Sequence, residues 1–323
     1  MIVLPKKHYL SLKMPGYITT SPIVLFVYNR PKHTEQTLLA LARNPEAIQS
    51  DLYIYSDGAE DLNSVSSVNE VRSLIRELSG FKSISIVEQE RNIGLAKSIL
   101  GGVTQLLQRF NTLIVLEDDL VVSPTFLRYM NSGLYLYRND ERVGSIHGYT
   151  YPCADLLPDT FFLRGGDCWG WATWARAWRN INLDGSLLMK ELEERRLIQA
   201  FDFDGAYPYT KMLKNQIQGK NNSWAIRWHA SLYLKNMLTL YPGKSLVQNI
   251  GHDGTGIHSA RTDYLSVDLC NEEVSILRLA IEENVHARTA FKKFLWKWHS
   301  SPIAILRRMY FKFLEYLSVS ARA

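Results

Sequence analysis

Cysteine is scarce in this chain: Cys153, Cys168 and Cys270 are the only three in 323 residues. No pair among them has the spacing of a zinc ligand set or a redox dithiol, which excludes a disulfide-framed secreted scaffold and fits a reducing compartment. An excess of either charge is missing too. Lysine and arginine total 37 against 32 aspartate and glutamate, a net charge of +5, far from the basic excess of a nucleic-acid-binding domain. So mild a balance admits an acidic ligand such as a nucleotide diphosphate, or an anionic membrane surface, equally well. No apolar run reaches membrane-spanning length, and Lys6, Lys7 and Lys13 stand in the first twenty residues without a signal-peptide core. The expectation is a cytoplasmic protein that meets a membrane only from its inner face, as a peripheral contact. Glycine-rich phosphate loops of the P-loop or dinucleotide pattern are also absent, which counts against P-loop ATPases and nicotinamide-dependent dehydrogenases.

What the chain does have is a repeated alternation. Ile23 to Tyr28 reads as a buried strand ending at Asn29-Arg30-Pro31, with a helix from Thr34 to Arg43. A second strand, Asp51 to Tyr55, ends at Ser56-Asp57-Gly58; a helix from Val68 to Leu78 and a third strand, Ser83 to Val87, follow. Another helix runs from the Asn92-Ile93-Gly94 turn, through Lys97, to about Phe110. The fourth strand, Leu113 to Leu116, ends in Glu117-Asp118-Asp119, with Ser123-Pro124 placed to cap a further helix. Four such units predict an α/β fold with a mostly parallel sheet flanked by helices. Parallel strands bring their carboxyl ends to one edge, where ligands bind in open sheets. Arg30, Asp57, Glu117 and Asp119 converge there, and alternation puts Glu117 and Asp119 on one face with Asp118 turned away. Three adjacent carboxylates repel unless a cation compensates them, so the pattern suggests a divalent metal site. A solvated acidic turn is the plain alternative.

The second half changes character. Gly165-Gly166-Asp167-Cys168-Trp169-Gly170-Trp171 through Trp178 places four of the eight tryptophans within ten residues. Indoles stack on sugars or bases and glycine lets a ligand approach, so the segment reads as a binding loop, with a core aromatic cluster as the alternative. Asn222 to Lys235 forms a helix, and Gly251-His252-Asp253-Gly254 to His258 is a polar loop whose histidines can reach a metal.

The ordered set formed by Arg30, Ser56-Asp57-Gly58, Glu117-Asp118-Asp119 with its Ser-Pro, the Gly-Trp segment and the late loop with His258 resembles nucleotide-sugar glycosyltransferases of GT-A type. The nearest resemblance is to N-acetylglucosaminyltransferase I-like enzymes and bacterial family 2 glycosyltransferases. It implies a GT-A domain over residues 21–265, with a nucleotide-binding half (21–120) and a sugar and acceptor half (121–265), then a helical basic-aromatic tail over 270–323. It further implies that Asp119 and His258 meet Mn2+ or Mg2+ and that Glu117 contacts the ribose. Arg30, Asp57, Lys97 and Asp118 would hold the nucleotide, with Trp169, Gly170 and Trp171 beside the donor sugar. Where the related enzymes carry a catalytic carboxylate between tryptophans, Trp224-Ala225-Ile226-Arg227-Trp228 has none. Asp167 and Asp253 are the candidate bases instead, and Arg227 is a candidate partner of the diphosphate. The activity implied is metal-dependent, inverting transfer from a UDP-sugar to a surface-glycan or lipid-linked hydroxyl. A sugar nucleotidyltransferase and a non-catalytic sugar- or nucleotide-binding module are the rivals. In the tail, Lys292, Lys293, Lys297, Arg307, Arg308 and Lys312 among aromatic rings suggest contact with anionic lipid, against helices packed on protein.

Overall fold

The computed structural model describes residues 20–254, 263–304 and 306. Its first half runs β1 (Ile23–Val27), α1 (Pro31–Ala42), β2 (Asp51–Ser56), α2 (Val65–Arg76), β3 (Ser83–Glu88), α3 (Leu95–Leu107) and β4 (Thr112–Glu117). These four strands are mutually parallel, in the order β3-β2-β1-β4. Every residue of β1 is buried. Ile23, Leu25 and Val27 enter one core cluster while Val24 and Phe26 enter the other. A strand covered on both faces has no wet side, which is why it reads as an unbroken apolar run.

The second half comprises β5 (Leu120–Val122), α4 (Phe126–Leu136), β6 (Val143–His147), β7 (Thr160–Arg164), β8 (Trp171–Trp174), α5 (Ala175–Trp178), α6 (Gly185–Glu194), α7 (Ile198–Phe201), α8 (Tyr209–Ile217), α9 (Trp224–Leu234), β9 (Leu238–Pro242), β10 (Val247–Asn249) and α10 (Val285–Leu295). The main sheet has eight strands, β3-β2-β1-β4-β8-β6-β9-β7, with β8 and β7 antiparallel to their neighbours. The fold is therefore a mostly parallel, Rossmann-like α/β sheet with a helical C-terminal region.

Two local expectations need correction. The acidic turn does not lead straight into a helix: β5 intervenes and pairs antiparallel with β10, because buried Leu120 and Val122 need a sheet partner. The N-cap of α4 is Thr125 rather than Ser123, and the Ser123 hydroxyl donates instead to the Cys270 carbonyl at 2.6 Å.

The expected helical tail divides in two. Residues 266–284 contain no helix or strand and are tied across the domain, Tyr137 donating to the Leu277 carbonyl and Asn284 N–H to the Phe162 carbonyl. Helix α10 then buries Phe291 and Leu295 against Phe161, Leu163, Phe203 and Tyr241. Lys292 pairs with Asp204 and Lys293 with Asp155. For these residues the packed-helix alternative holds, since their inner face is core. Residue 305 and residues 307–323, with Arg307, Arg308 and Lys312, lie outside the described residues. Among those described, no helix is long and apolar enough to cross a membrane.

Candidate active site

Because β1 and β4 are parallel neighbours, with Phe26 opposite Glu117, their carboxyl ends open at one edge. Arg30 stands immediately before Pro31, the first residue of α1. Its Nη2 donates to Asp118 Oδ1 at 2.5 Å and to Asp119 Oδ2 at 2.9 Å. Asp118 therefore does not turn away from its neighbour: the strand ends at Glu117, and the turn brings both following carboxylates to one guanidinium. Burial opposes the charge on Arg30, but Asp118 and Asp119 outweigh it and raise its pKa. Burial, then repulsion from Asp119 and Asp118, drives Glu117 well above the usual carboxylate range. Asp118 and Asp119 share one arginine with Glu117 beside them, so a single guanidinium does not balance the acids of the turn.

A second chain segment meets this turn. Pairing of Asn249 with Leu120 carries the chain past Asp119, whose carbonyl accepts from Ile250 N–H at 2.9 Å. A Cβ on Gly251 would lie 2.1 Å from Asp119 Oδ2, so any side chain here would have to displace the Asp119 carboxylate. Next comes His252, its ring 5.3 Å from that of Trp169. Burial lowers its pKa and Asp119 opposes that shift. Its Nε2 is buried without a hydrogen-bond partner. A neutral imidazole with an orphaned nitrogen beside under-compensated carboxylates fits a divalent cation. Among the described residues no three His, Cys, Asp or Glu side chains form a ready-made cage. A cation held jointly with a diphosphate needs only one or two protein ligands.

The antiparallel β8 supplies the third side. Trp171 lies opposite Val115, which sets the preceding turn beside the acidic residues. Cys168 is partly buried, and desolvation together with Asp167, Glu117 and Asp119 raises its thiol pKa well above the usual value. Asp167 accepts from Cys168 N–H at 2.8 Å and from the Tyr241 hydroxyl at 3.4 Å. His147 Nε2, 3.8 Å from Asp167, accepts from Trp169 N–H at 3.0 Å and is held neutral by burial, so no ion pair forms there. Burial and the charge of Asp167 keep the Tyr149, Tyr209 and Tyr241 phenols protonated as donors.

The glycines of this turn have a different cause from the one expected. A Cβ on Gly165 would lie 2.6 Å from the His229 ring, one on Gly166 2.7 Å from Trp228 Nε1, and one on Gly170 2.7 Å from Val247. Close approach by protein side chains, chiefly from α9, demands glycine here. His229 Nδ1 also bonds the Gly166 carbonyl at 2.7 Å.

Trp171 is a correction of the same kind. It is fully buried and packs on Trp178, Trp224 and Trp228, with centroids 5.5–5.8 Å away, so it is part of the core. Trp171→Ala is expected to cost about 3–5 kcal/mol of stability, measured by denaturant unfolding. Trp169 is only partly buried and meets Tyr149 edge-on at 4.7 Å.

The remaining candidates separate. Asp57 accepts backbone N–H bonds from Gly58, Ile93 and Gly94, each at 2.9 Å, and so pins the end of β2 to the start of α3. Lys97 is exposed on the first turn of α3. Asp253 lies 3.1 Å from His33 Nε2 on α1. Arg227 donates to the carbonyls of Ser223 and Leu183 and makes no described contact with the acidic turn; burial lowers its pKa. His258 lies outside the described residues.

No family model and no curated protein matches the sequence. Among solved structures, a protein described as a glucose-1-phosphate thymidylyltransferase from Bacillus anthracis, in complex with sucrose, aligns at TM-score 0.32 and 11% identity over 50% of this chain and 74% of its own. A cytidylyltransferase from Leptospira borgpetersenii gives 0.31 and 11% over 50% and 63%. A UDP-glucose pyrophosphorylase complexed with UDP-glucose gives 0.30 and 14% over 50% and 79%. None of the three is a glycosyltransferase. Likeness this distant carries no weight for what the chain binds.

Proposed function

We propose that this chain is a metal-dependent glycosyltransferase moving a sugar from a nucleotide diphosphate, a UDP-sugar, to a hydroxyl of a surface-glycan or lipid-linked acceptor. The observation that carries the reading is the acidic turn: Asp118 and Asp119 share Arg30, next to Glu117 and beside the orphaned Nε2 of His252. Asp119 and His252 would hold Mn2+ or Mg2+. When bound, that cation offsets the charge of the departing diphosphate. Arg30 fixes the two aspartates, Asp57 organises the neighbouring nucleotide-side turn, and Glu117 faces the ribose. Trp169 presents its ring at the donor sugar.

Asp167 takes the acceptor's proton. It stands one residue from Cys168, which lies within the field of Glu117 and Asp119, and protonated phenols surround it. Asp253, the other candidate, is engaged by His33. A general base must lie within hydrogen-bonding reach of the attacking hydroxyl.

A sugar nucleotidyltransferase is the second reading, since an acidic turn on an α/β sheet also suits that chemistry. Against it stands the exit of β1, where Asn29-Arg30-Pro31 enters α1 without a glycine-rich basic loop and Arg30 is already paired. A thermal-shift panel separates ligands: UDP-sugars should raise the melting temperature only with Mn2+ present. His252→Ala should weaken the Mn2+-dependent part of that shift by roughly tenfold or more in metal concentration. An unchanged metal titration would remove His252 from the site.

A further inference from the structure

Helix α10 packs one side on the domain and ends in a π-helical turn, Trp296–Ser300. The side chains beyond that packed face are Trp296 at 50% exposure, Ile303 at 79% and Leu306 at 65%, with Lys297 also exposed. The chain between them is ordered by Ser301, whose N–H donates to the Trp296 carbonyl at 2.7 Å and whose hydroxyl accepts from Ala304 N–H at 3.2 Å. Three large apolar side chains are thus exposed within eleven residues of sequence following α10. Isolated exposed apolar residues need no explanation, but a local cluster beside cations does.

We propose that Trp296, Lys297, Ile303 and Leu306 dock this protein on an anionic membrane surface. The charge pattern selects the occupant. From Lys292 to the last residue the sequence carries Lys292, Lys293, Lys297, Arg307, Arg308, Lys312 and Arg322 against Glu315 alone. Lys292 and Lys293 are partly neutralised by Asp204 and Asp155, whereas exposed Lys297 has no ion pair among the described residues. An indole and aliphatic side chains flanked by cations match the boundary between anionic headgroups and acyl chains. A second copy of this chain would bring the same cations against themselves. The inference is independent of the reaction proposed above, because none of these residues touches the acidic turn.

The test uses the full-length protein and vesicles of phosphatidylcholine with or without phosphatidylglycerol, by co-sedimentation at low and high salt. Binding is expected only to the anionic vesicles and should fall steeply with salt, since surface attraction is screened over a Debye length. Trp296→Ser combined with Ile303→Ser should lower the partition coefficient by about tenfold or more. Lys297→Gln should lower it about fivefold. Both variants alter exposed positions, so their unfolding curves should match the parent's. Failure of the parent to bind anionic vesicles at low salt would overturn the proposal, as would full binding by the serine double variant. Sedimentation velocity showing a parent dimer that the double variant dissolves would assign the surface to a copy interface and overturn it too.

Discussion

Asp119→Asn is expected to abolish transfer, lowering turnover by roughly three orders of magnitude or more, the scale of the several kcal/mol a metal contributes to a charged transition state. The amide keeps the shape of the carboxylate but loses the charge that holds a cation. Mn2+-dependent stabilisation by UDP should vanish with it. Folding should survive, because Arg30 retains Asp118 at 2.5 Å and because the substitution relieves repulsion on the neighbouring, partly buried Glu117. The apo variant should therefore melt close to the parent. A variant that kept most of its activity at low Mn2+ would show that the acidic turn holds no metal needed for turnover.

Asp167→Asn should lower kcat by roughly two to four orders of magnitude while nucleotide affinity changes little, the signature of a lost proton acceptor. The asparagine retains one oxygen for Cys168 N–H, which donates to Asp167 Oδ1 at 2.8 Å, so the turn should keep its shape. Asp253→Asn should stay within severalfold of the parent, since that carboxylate lies 3.1 Å from His33. Steady-state kinetics on both variants decides the matter. If Asp253→Asn were the inactive one, the roles would be reversed, and if neither lost activity the proton would leave by another route.

Much of the first-half architecture was legible because buried parallel strands announce themselves as apolar runs and their ends announce themselves as polar residues. Ile23 to Tyr28 and the run into Glu117 needed no partner to be recognised. The glycines at 165, 166 and 170 misled for a physical reason: glycine marks close approach without saying by what. Here the approaching groups are Trp228, His229 and Val247, contributed by chain some sixty to eighty positions later. Trp171 misled likewise, since an indole's composition is the same in a core and in a sugar site. His252 was harder to single out, because its place beside Asp119 depends on the pairing of β5 with β10, two strands of three residues each. Spacing on so short a ribbon leaves almost no periodic signal. The basic-aromatic helix was ambiguous because its partners, Asp155 and Asp204, lie far upstream.

Release of UDP from a UDP-sugar, followed with and without Mn2+ in the presence of sugar acceptors, tests metal-dependent transfer at the acidic turn most directly. UDP should appear only with the cation, together with the sugar on an acceptor hydroxyl or, slowly, on water, and Asp119→Asn should release none. Contradiction would be the absence of UDP from every UDP-sugar tried with Mn2+, alongside pyrophosphate release from UTP and a sugar 1-phosphate.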